Sequence, residues 1–321
     1  MRIFIAGGTG VLGKRLLPLL IKQNHQVGVL ARSEEQKRWI EKQGAIGIQT
    51  DLFDRERMIP AIQGYEAVLH LATAIPRKSR TSPKDWQLNR RIREEGTDVL
   101  ISATLRNKCE LFIIQSVTFN YGHREGAWVD ESIKPSVPVP SSVKLSKEFQ
   151  ELNDSNVIME NRVLNAVENK NLPGIILRFG WFYSYDSLNI SQFAKNQFSY
   201  VGDGSAYWNI ISVDDAVEAI VKAIENYREC IGMTFNVCDN EPVKVKDLLT
   251  YSAKVAGFKN PKKIPELLVK NYAGTYALSF LKNSVRVKNI NAKEKLQWTL
   301  RYPTYKEGIK EEIRKFLEYS R

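Results

Sequence analysis

The sequence predicts an α/β protein, with a doubly wound parallel sheet and a smaller, discontinuous C-terminal α/β lobe. Three observations predict this fold. Apolar runs of strand length alternate with amphipathic runs of helix length as far as Leu177. A glycine-rich turn separates the first strand-like run from the first helical run. Beyond Leu177 the alternation loosens, and aromatic and polar residues become frequent.

The first part of the chain supplies the elements of the sheet. The strands are predicted at Ile3–Ala6, Gln26–Leu30, Ile46–Gln49, Ala67–Leu71, Leu111–Gln115 and Gly174–Leu177. The helices between them are predicted at Val11–Gln23, Glu34–Gln43, Arg55–Ile62, Trp86–Arg106 and about Ser141–Glu168. Right-handed connections between such strands give a parallel sheet with helices on both faces. Ligands then bind at the carboxyl ends of the strands.

The second part of the chain contributes fewer elements. Strands are predicted at Asn209–Ser212 and Phe235–Val237, and helices at Val213–Tyr227, Val245–Ala256 and about Lys306–Tyr319. The sequence has no internal repeat, low-complexity tract or flexible linker. We therefore expect two interwoven lobes. Residues 1–178 and about 205–238 form the sheet domain, and about 179–204 and 239–321 form the second lobe.

Composition excludes several classes of protein. Hydrophobic residues make up 43% of the chain and charged residues 26%, which is typical of a globular protein and not of a disordered one. No apolar run approaches the ~20 residues that cross a bilayer, and the start of the chain does not resemble a signal peptide. The three cysteines form no Cys-x-x-Cys pair, so we expect reduced thiols in the cytoplasm and no metal site.

The net charge of +11 leaves two interpretations open. A basic protein can bind nucleic acid. Here the lysines and arginines are spread along the chain, and the densest clusters, Arg90–Arg93 and Lys259–Lys263, are short. This distribution favours solvated helix faces, with some attraction for a phosphorylated cofactor, over a nucleic-acid site.

The glycine-rich turn Gly7-Gly8-Thr9-Gly10-Val11-Leu12-Gly13 predicts a dinucleotide site. Gly7 allows the tight turn after the strand. Gly10 lets the backbone approach a pyrophosphate, and Gly13 permits close packing of the helix on the sheet. The free amides at the start of the helix, including those of Val11 and Leu12, then face the phosphates. This motif indicates a Rossmann domain that binds NAD(P).

The end of the second strand favours NADP, with NAD as the alternative. Proteins specific for NAD usually place an acidic residue there to bind the ribose hydroxyls. This chain has Arg32 and Ser33 instead. A guanidinium group can bind a 2′-phosphate through two N–H groups, and the serine can add a hydroxyl.

Residues after the third and fourth strands complete the predicted cofactor site. Asp51 either accepts a hydrogen bond from the adenine amino group, with Leu52 against the ring, or caps the helix near Arg55. After the fourth strand, small side chains leave room for the cofactor; this segment is Leu71-Ala72-Thr73. The preceding His70 is interpreted as a structural histidine.

These residues and motifs together resemble the extended or atypical short-chain dehydrogenases/reductases of the NAD-dependent epimerase/dehydratase group. The resemblance covers nearly the whole chain. Besides the glycine turn, its motifs are Asp51-Leu52, His70-Leu71-Ala72, Glu95-Gly96-Thr97, Ser116…Tyr121-Gly122, Asp130-Glu131, Leu177-Arg178-Phe179-Gly180, Gly202-Asp203-Gly204, Ile211–Ala216, Phe235-Asn236-Val237, Lys295–Trp298 and Tyr302–Gly308. The resemblance implies a nicotinamide-dependent enzyme with a small-molecule substrate.

The sequence departs from the family at the catalytic helix. Relatives have a tyrosine, which moves the substrate proton, and a lysine four residues later, which lowers the pKa of that tyrosine. If Glu160 matches the glutamate that follows this motif, Leu152 stands at the tyrosine position and Asn156 at the lysine position. The sole Tyr-x-x-x-Lys of the chain begins at Tyr302, in the terminal motif, and is rejected as catalytic.

Other residues are therefore candidates for the chemistry. Ser116 and Thr118 flank the usual hydroxyl position, although ordinary hydrogen bonding at a strand end explains them equally well. Ser116 is also a candidate for contact with the cofactor. Tyr121 and Tyr183 are candidate proton donors, with aromatic packing as the alternative. His123 is a further candidate, with a surface position as its alternative.

The first functional hypothesis is an NADP-dependent oxidoreductase, or an epimerase/dehydratase relative, acting on a small to moderately apolar carbonyl or hydroxyl compound. Aromatic residues of the second lobe suggest the apolar substrate. The missing tyrosine and lysine suggest an alternative, a non-catalytic NADP-binding sensor, and the charge suggests a nucleic-acid-binding member. The resemblance also implies a homodimer through the helices Trp86–Arg106 and Ser141–Glu168.

Overall fold

A computed structural model describes residues 1–76, 80–135, 146–195 and 198–319, apart from the side chains of Glu148, Leu152 and Leu188. The strands are β1 (Arg2–Ala6), β2 (Gln26–Ala31), β3 (Ile46–Gln49), β4 (Ala67–His70), β5 (Leu111–Val117), β6 (Trp128–Val129), β7 (Gly174–Phe179), β8 (Trp181–Tyr183), β9 (Ser199–Val201), β10 (Tyr207–Trp208), β11 (Ile210–Ser212), β12 (Thr234–Val237), β13 (Val243–Lys244), β14 (Lys262–Ile264) and β15 (Arg286–Val287). The helices are α1 (Gly13–Lys22), α2 (Glu34–Lys42), α3 (Arg55–Ala61), α4 (Pro83–Arg91), α5 (Thr97–Arg106), α6 (Lys147–Lys170), α7 (Leu188–Ala194), α8 (Val213–Glu225), α9 (Tyr227–Cys230), α10 (Val245–Val255), α11 (Glu266–Lys282), α12 (Ile290–Lys295) and α13 (Tyr305–Tyr319).

Seven parallel strands form the central sheet in the order β12-β7-β5-β4-β1-β2-β3. The strand order reverses at β1, which pairs with β2 on one side and with β4 on the other. In an open sheet of this kind, the reversal point leaves a crevice at the carboxyl ends of the strands. The predicted doubly wound Rossmann fold is confirmed, and the glycine turn lies at this crevice.

Side chains along β1 alternate between the two faces of the sheet. Ile3 and Ile5 join the core beneath α1 and α8, while Phe4 and Ala6 join the core beneath α5 and α6. All four side chains are fully buried. A strand that is covered on both faces is uniformly apolar, which explains the continuous hydrophobic runs of the sequence.

The predicted helix Trp86–Arg106 is wrong as a single element. The α4 helix ends at Arg91, a π-helical turn occupies Ile92–Gly96, and α5 follows without a break. A π turn inserts one extra residue, so the side chains after it are rotated relative to those of a regular helix. Helical periodicity in the sequence does not mark such an insertion.

The predicted helix Ser141–Glu168 begins later and ends later in the structure. Residues 141–145 lie outside the described residues. The α6 helix begins after Ser146, whose Oγ accepts a hydrogen bond from the amide of Phe149, and it ends at Asn171 in the left-handed conformation. A serine at the first position and a left-handed residue after the last turn are ordinary helix boundaries.

The sequence patterns missed α11. A kink at Gly274, where φ is +89°, divides this helix into two segments. The exposed side chains of Leu267, Leu268 and Tyr272 lie on its first segment, while Phe280 packs in the core of the second lobe. Apolar residues therefore point in several directions, and no single amphipathic face was visible in the sequence.

The second lobe surrounds a separate apolar core that includes Trp208, Leu248 and Ile309. All three cysteines are buried and free. Within the residues that the structure describes, no helix is long and apolar enough to cross a membrane. The division of the chain into two lobes at the predicted boundaries stays a prediction.

Candidate cofactor and substrate site

The glycine turn packs directly on the end of β4. A Cβ atom at Gly7 would lie 2.5 Å from the amide nitrogen of Ala72, and one at Gly13 would lie 2.4 Å from the backbone of Gly8. Gly7 also has a φ of +97°, which favours glycine. Both positions therefore exclude side chains because of the fold itself.

Gly10 differs from these two glycines. A Cβ atom there would meet only the carbonyl oxygen of Gly7, at 3.1 Å, and it would otherwise point into open space. The neighbouring amides of Val11 and Leu12 make no hydrogen bond to another described residue. The side chain of Leu12 is buried in the core, whereas that of Val11 is 55% exposed. The start of α1 thus presents unpaired N–H groups beside a bare backbone, an arrangement suited to a pyrophosphate.

Arg32 and Ser33 lie at the carboxyl end of β2, as expected. The side chain of Arg32 is exposed, and its amide donates a hydrogen bond to Gln36 Oε1 at 3.0 Å. Ser33 caps α2, since its Oγ accepts a hydrogen bond from the amide of Gln36 at 3.3 Å. Neither the guanidinium of Arg32 nor the hydroxyl proton of Ser33 has another partner in the described chain, and both can bind a phosphate group.

The capping alternative for Asp51 is wrong. Asp54, and not Asp51, caps α3, through a 3.1 Å hydrogen bond from the amide of Arg57. Asp51 instead accepts a 3.0 Å hydrogen bond from the amide of Phe53, and its side chain is exposed. A bound adenine could reach the second oxygen of this carboxylate, so that alternative stays a prediction.

Leu52 packs beneath the expected position of the adenine. Its side chain is 8% exposed and lies against Gly96, where a Cβ would approach it to 2.9 Å. At the end of β4, Leu71 is buried, and Ala72 and Thr73 are partly exposed beside the glycine turn. The residues predicted for the cofactor therefore follow the carboxyl ends of β1, β2, β3 and β4. The exception is Ser116, which is fully buried in β5 and donates its hydroxyl proton to Glu160.

A buried polar network lies under the neighbouring ends of β5 and β7. Arg178 bonds both carboxylate oxygens of Glu160, at 2.7 to 3.1 Å. Glu160 also accepts hydrogen bonds from Ser116 at 2.5 Å and from Asn120 at 2.9 Å. The charge and hydrogen bonds of Glu160 raise the pKa of Arg178 although burial opposes that shift. The network fixes α6 against two strands of the sheet.

Comparisons with known proteins place the chain in a family. A model of the NAD-dependent epimerase/dehydratase family matches residues 3–238. The chain belongs to this family. The resemblance predicted from the sequence motifs is therefore confirmed.

Relatives in this family include enzymes with different names. The chain is 25% identical to a 3-diazoavenalumate denitrifying reductase of Streptomyces, across 96% of this chain and 99% of the relative. It is also 25% identical to a decarboxylating sterol-4-alpha-carboxylate 3-dehydrogenase of Dictyostelium discoideum, across 81% of this chain and 78% of the relative. These names agree with the predicted NAD(P)-dependent oxidoreductase.

Solved structures in the family share the fold along the whole chain. The UDP-glucose 4-epimerase of Thermotoga maritima has a TM-score of 0.78 with 20% identity, and each chain covers all of the other. The UDP-glucuronic acid 4-epimerase of Bacillus cereus, solved with UDP-glucuronic acid and NAD, also has a TM-score of 0.78, with 21% identity and the same full coverage. These likenesses confirm the fold.

The departure from the family motif in α6 stays a prediction. Asn156 is 4% exposed, and its Oδ1 has no hydrogen-bond partner among the described residues. The side chain of Leu152 lies outside the described residues. Glu160, which anchors this alignment, faces the sheet through its bond to Arg178. The helix therefore turns Asn156 toward the protein interior, and its match to the lysine of the family motif stays a prediction.

The hydroxyl groups expected to act in catalysis already have protein partners or lie in the core. Ser116 is fully buried and donates to Glu160, and Thr118 is 1% exposed. Tyr121 donates to Asn236 Oδ1 at 3.0 Å and accepts from Arg178 at 2.7 Å. Burial raises the pKa of Tyr121 to about 12, against the opposing effect of Arg178. This placement favours a structural role for Ser116 and Tyr121.

Tyr183 lies apart from Ser116 and Tyr121. Its side chain is 1% exposed within the core of the second lobe, and a Cβ at Gly308 of α13 would overlap its hydroxyl oxygen. Burial raises the pKa of Tyr183 well above its ordinary value. The expected role of Tyr183 as a proton donor does not fit this position. His123 is partly buried, and its Nδ1 accepts a hydrogen bond from the amide of Ser284 at 3.1 Å.

Sequence reasoning missed two buried side chains of the π turn region. Asn89 is 2% exposed, and its Oδ1 accepts a hydrogen bond from the amide of Ala74 at 2.9 Å, which fixes the segment after β4. Arg93 is 3% exposed and lies against Met159 of α6. The short run of basic residues Arg90–Arg93 predicted a solvated helix face. Only the π turn and the packing on α6 reveal that one of them is internal.

Aromatic side chains form a wall beside α4 and α6. The ring of Tyr276, from α11, lies 4.9 Å from that of Trp86 and 5.8 Å from that of Phe149. Phe119 and Phe280 lie 4.9 Å apart on the side of the second lobe. Residues of the missed helix α11 thus supply part of the apolar surface that faces α4 and α6.

His70 makes the stability of the fold depend on pH. Burial, together with repulsion from Arg93, lowers the pKa of His70 from 6.5 to about 4. Between the two pKa values, the unfolded chain therefore binds a proton at His70 that the folded chain does not bind. Stabilisation by neutral His70 is complete above pH 6.5 and is lost as the pH falls toward 4, by about 3 kcal/mol in all.

Denaturant unfolding at pH 7, 6 and 5 measures this effect. The free energy of unfolding of the wild type is expected to fall more steeply with acidification than that of His70→Asn, because the variant lacks the titrating imidazole. Parallel curves for the two proteins would contradict the assignment.

Proposed function

We propose that this protein is an NADP-dependent oxidoreductase that acts on small to moderately apolar carbonyl or hydroxyl compounds. The observation that carries the proposal is the unpaired start of α1 beside Gly10, next to the exposed guanidinium of Arg32. When bound, a nicotinamide cofactor supplies or accepts the hydride. The residues of this chain bind its phosphates and orient it at the carboxyl ends of the strands.

The substrate class is supported by aromatic residues of α4, α6 and α11. Trp86, Phe149 and Tyr276 form an aromatic wall beside α6. Large aromatic side chains favour the burial of apolar substrates. Relatives with a sterol carboxylate or a farnesyl dihydroquinoline oxide in their names agree with an apolar substrate.

Calorimetry with the two cofactors, followed by absorbance assays, tests the proposal. NADPH is expected to bind to the pure protein and to be oxidised in the presence of an aromatic or alkyl aldehyde or ketone from a panel. Absence of heat with either NADPH or NADH would contradict the cofactor assignment. Tight binding without turnover on any compound would favour the second candidate below.

Replacement of Arg32 is expected to weaken the binding of NADPH much more than that of NADH. Arg32→Ala removes a charged donor that reaches the 2′-phosphate, so NADPH should bind about 10- to 100-fold more weakly, while NADH binding changes little. Isothermal titration with each cofactor gives both affinities. Arg38→Ala, which removes an exposed arginine from the middle of α2, is the matched control. Equal losses for NADPH and NADH would contradict a contact with the 2′-phosphate.

A non-catalytic NADP sensor is the second candidate, and one observation favours it. The hydroxyls of Ser116 and Tyr121 are held in the buried network. The prediction that Leu152 and Asn156 stand at the positions of the motif tyrosine and lysine agrees with such a sensor. Such a sensor would bind NADPH without consuming it and would bind a partner protein in a cofactor-dependent manner. The expected homodimer stays a prediction that light scattering can test, and a salt-sensitive gel shift would be needed to support a nucleic-acid role.

A further inference from the structure

Arg93 is a buried cation without an anionic partner of its own. Within the described residues, no hydrogen bond or ion pair joins it to a carboxylate. Its Nη1 lies 3.6 Å from Sδ of Met159, and its Nε has no partner. Burying a charged group without such a partner costs free energy, so the burial of Arg93 needs a physical explanation.

The carboxylate that attracts Arg93, that of Glu160, already has three hydrogen-bond donors. Glu160 is bonded by Arg178, Ser116 and Asn120. Two guanidinium groups therefore share one negative charge, and the neighbouring His70 is neutral. Burial lowers the pKa of Arg93 to about 10, against the attraction of Glu160, so the group stays protonated at neutral pH. Glu131, which accepts a hydrogen bond from the amide of Asn236, also interacts with the charge of Arg178. Arg93 is therefore the cation of this region without a bonded carboxylate.

The charge lies at one end of a seam between α4 and α6. We call this the α4–α6 seam and define it by Trp86, Arg93, Phe149, Asn156 and Met159. Trp86 stands seven residues before Arg93, and Phe149 stands seven residues before Asn156. Seven helical residues span about 10 Å, so the aromatic end and the polar end of the seam are separated by about that distance on both helices.

The polar end of the seam includes the residue predicted to stand at the lysine position of the catalytic motif. That residue, Asn156, has a buried Oδ1 without a partner among the described residues. The π turn orients Arg93 toward this helix, where it contacts Met159, three residues beyond Asn156. π turns often occur where a helix carries functional side chains.

We propose that the α4–α6 seam binds the substrate by a carboxylate that Arg93 holds, with the apolar part of the molecule against Trp86, Phe149 and Tyr276. This inference rests on the proposed function, because it concerns the substrate of the same site. A monocarboxylate supplies the bonded negative charge that Arg93 lacks. The substrate class is thus an apolar or aromatic monocarboxylic acid that also carries the reacting carbonyl or hydroxyl group.

Binding of non-reacting acids to the protein saturated with NADP⁺ tests the inference. The probes are trans-cinnamate and decanoate, each compared with its uncharged amide by calorimetry. The wild type is expected to bind at least one acid at least tenfold more tightly than the matching amide. Arg93→Met should abolish this preference, and Arg93→Lys should retain part of it, because a lysine keeps the charge but not the planar fork.

Two controls distinguish an effect of Arg93→Met on acid binding from an effect on folding. Arg162→Gln removes an arginine from α6 that bonds Asp98 and the carbonyl of Glu94 outside the seam, and it should keep the preference for acids. The thermal midpoint of Arg93→Met should not fall below that of the wild type, because the variant loses an unpaired buried charge while Glu160 keeps Arg178. A purely structural role for Arg93 would instead lower the midpoint.

The outcomes distinguish this inference from the proposed function. Binding of NADP⁺ without any preference for an acid in the wild type would overturn the inference and leave the cofactor assignment intact. So would an unchanged preference in Arg93→Met. Failure of NADP⁺ itself to bind would overturn the proposed function first. If Arg93→Met did not fold, the comparison of acid with amide in the wild type and in Arg93→Lys would still decide.

Discussion

Substitution of Gly10 by valine is expected to abolish dinucleotide binding without unfolding the protein. A Cβ at Gly10 meets only the carbonyl oxygen of Gly7, at 3.1 Å, so we expect the turn to accommodate the side chain after a small shift of that carbonyl. That space is where the pyrophosphate approaches the amides of Val11 and Leu12. Loss of two hydrogen bonds to a charged group corresponds to about a hundredfold weaker binding, or more. Calorimetry with NADPH measures the loss.

Gly13→Ala is the informative comparison for Gly10→Val. A Cβ at Gly13 would lie 2.4 Å from the backbone of Gly8, so the smaller substitution should lower the free energy of unfolding by about 1–3 kcal/mol. One glycine then reports on ligand binding and the other on folding. If Gly10→Val unfolded the protein, or bound NADPH like the wild type, the assigned role of Gly10 would be wrong.

The largest effect on stability is expected from Glu160→Gln. Glu160 is 1% exposed, forms the ion pair with Arg178 and attracts Arg93. Its neutralisation leaves both buried guanidinium groups without a bonded counter-charge. Breaking a buried ion pair in this way costs about 3–5 kcal/mol. Denaturant unfolding of the wild type and the variant at pH 7 measures the difference.

A surface pair and a double variant complete this experiment. Glu95→Gln removes a partner of Arg91 in an exposed ion pair, and it should leave the free energy of unfolding nearly unchanged. Adding Arg93→Met to Glu160→Gln removes one of the two unbalanced cations, so the double variant should recover part of the lost stability. Additive losses, with no recovery, would show that Arg93 and Glu160 are not coupled through charge.

Local chemistry was enough to predict the cofactor side of the site. The glycine turn, Arg32 and Ser33 and the segment after β4 are contiguous pieces of sequence, each placed by one strand end. In a parallel sheet all such ends meet at one edge, so their proximity follows from the strand order. The same reasoning predicted the sheet, whose buried strands are uniformly apolar.

The substrate side could not be predicted in this way. Arg93 stands in a run of charged residues, and Ser116 and Tyr121 stand at a strand end where catalysis was plausible. Whether each side chain is buried, and which partner it meets, depends on residues far away in the chain, such as Glu160, Arg178 and Asn236. Burial and long-range pairing are properties of the packed molecule and leave little local pattern.

The sequence by itself therefore determined the doubly wound fold and the glycine turn at its crevice, because periodicity and backbone sterics are local. Only the tertiary structure decided that one guanidinium of the π turn lies inside the protein, beside an aromatic wall built partly from α11. A helix rotated by one inserted residue, and another kinked at Gly274, are set by packing between distant segments.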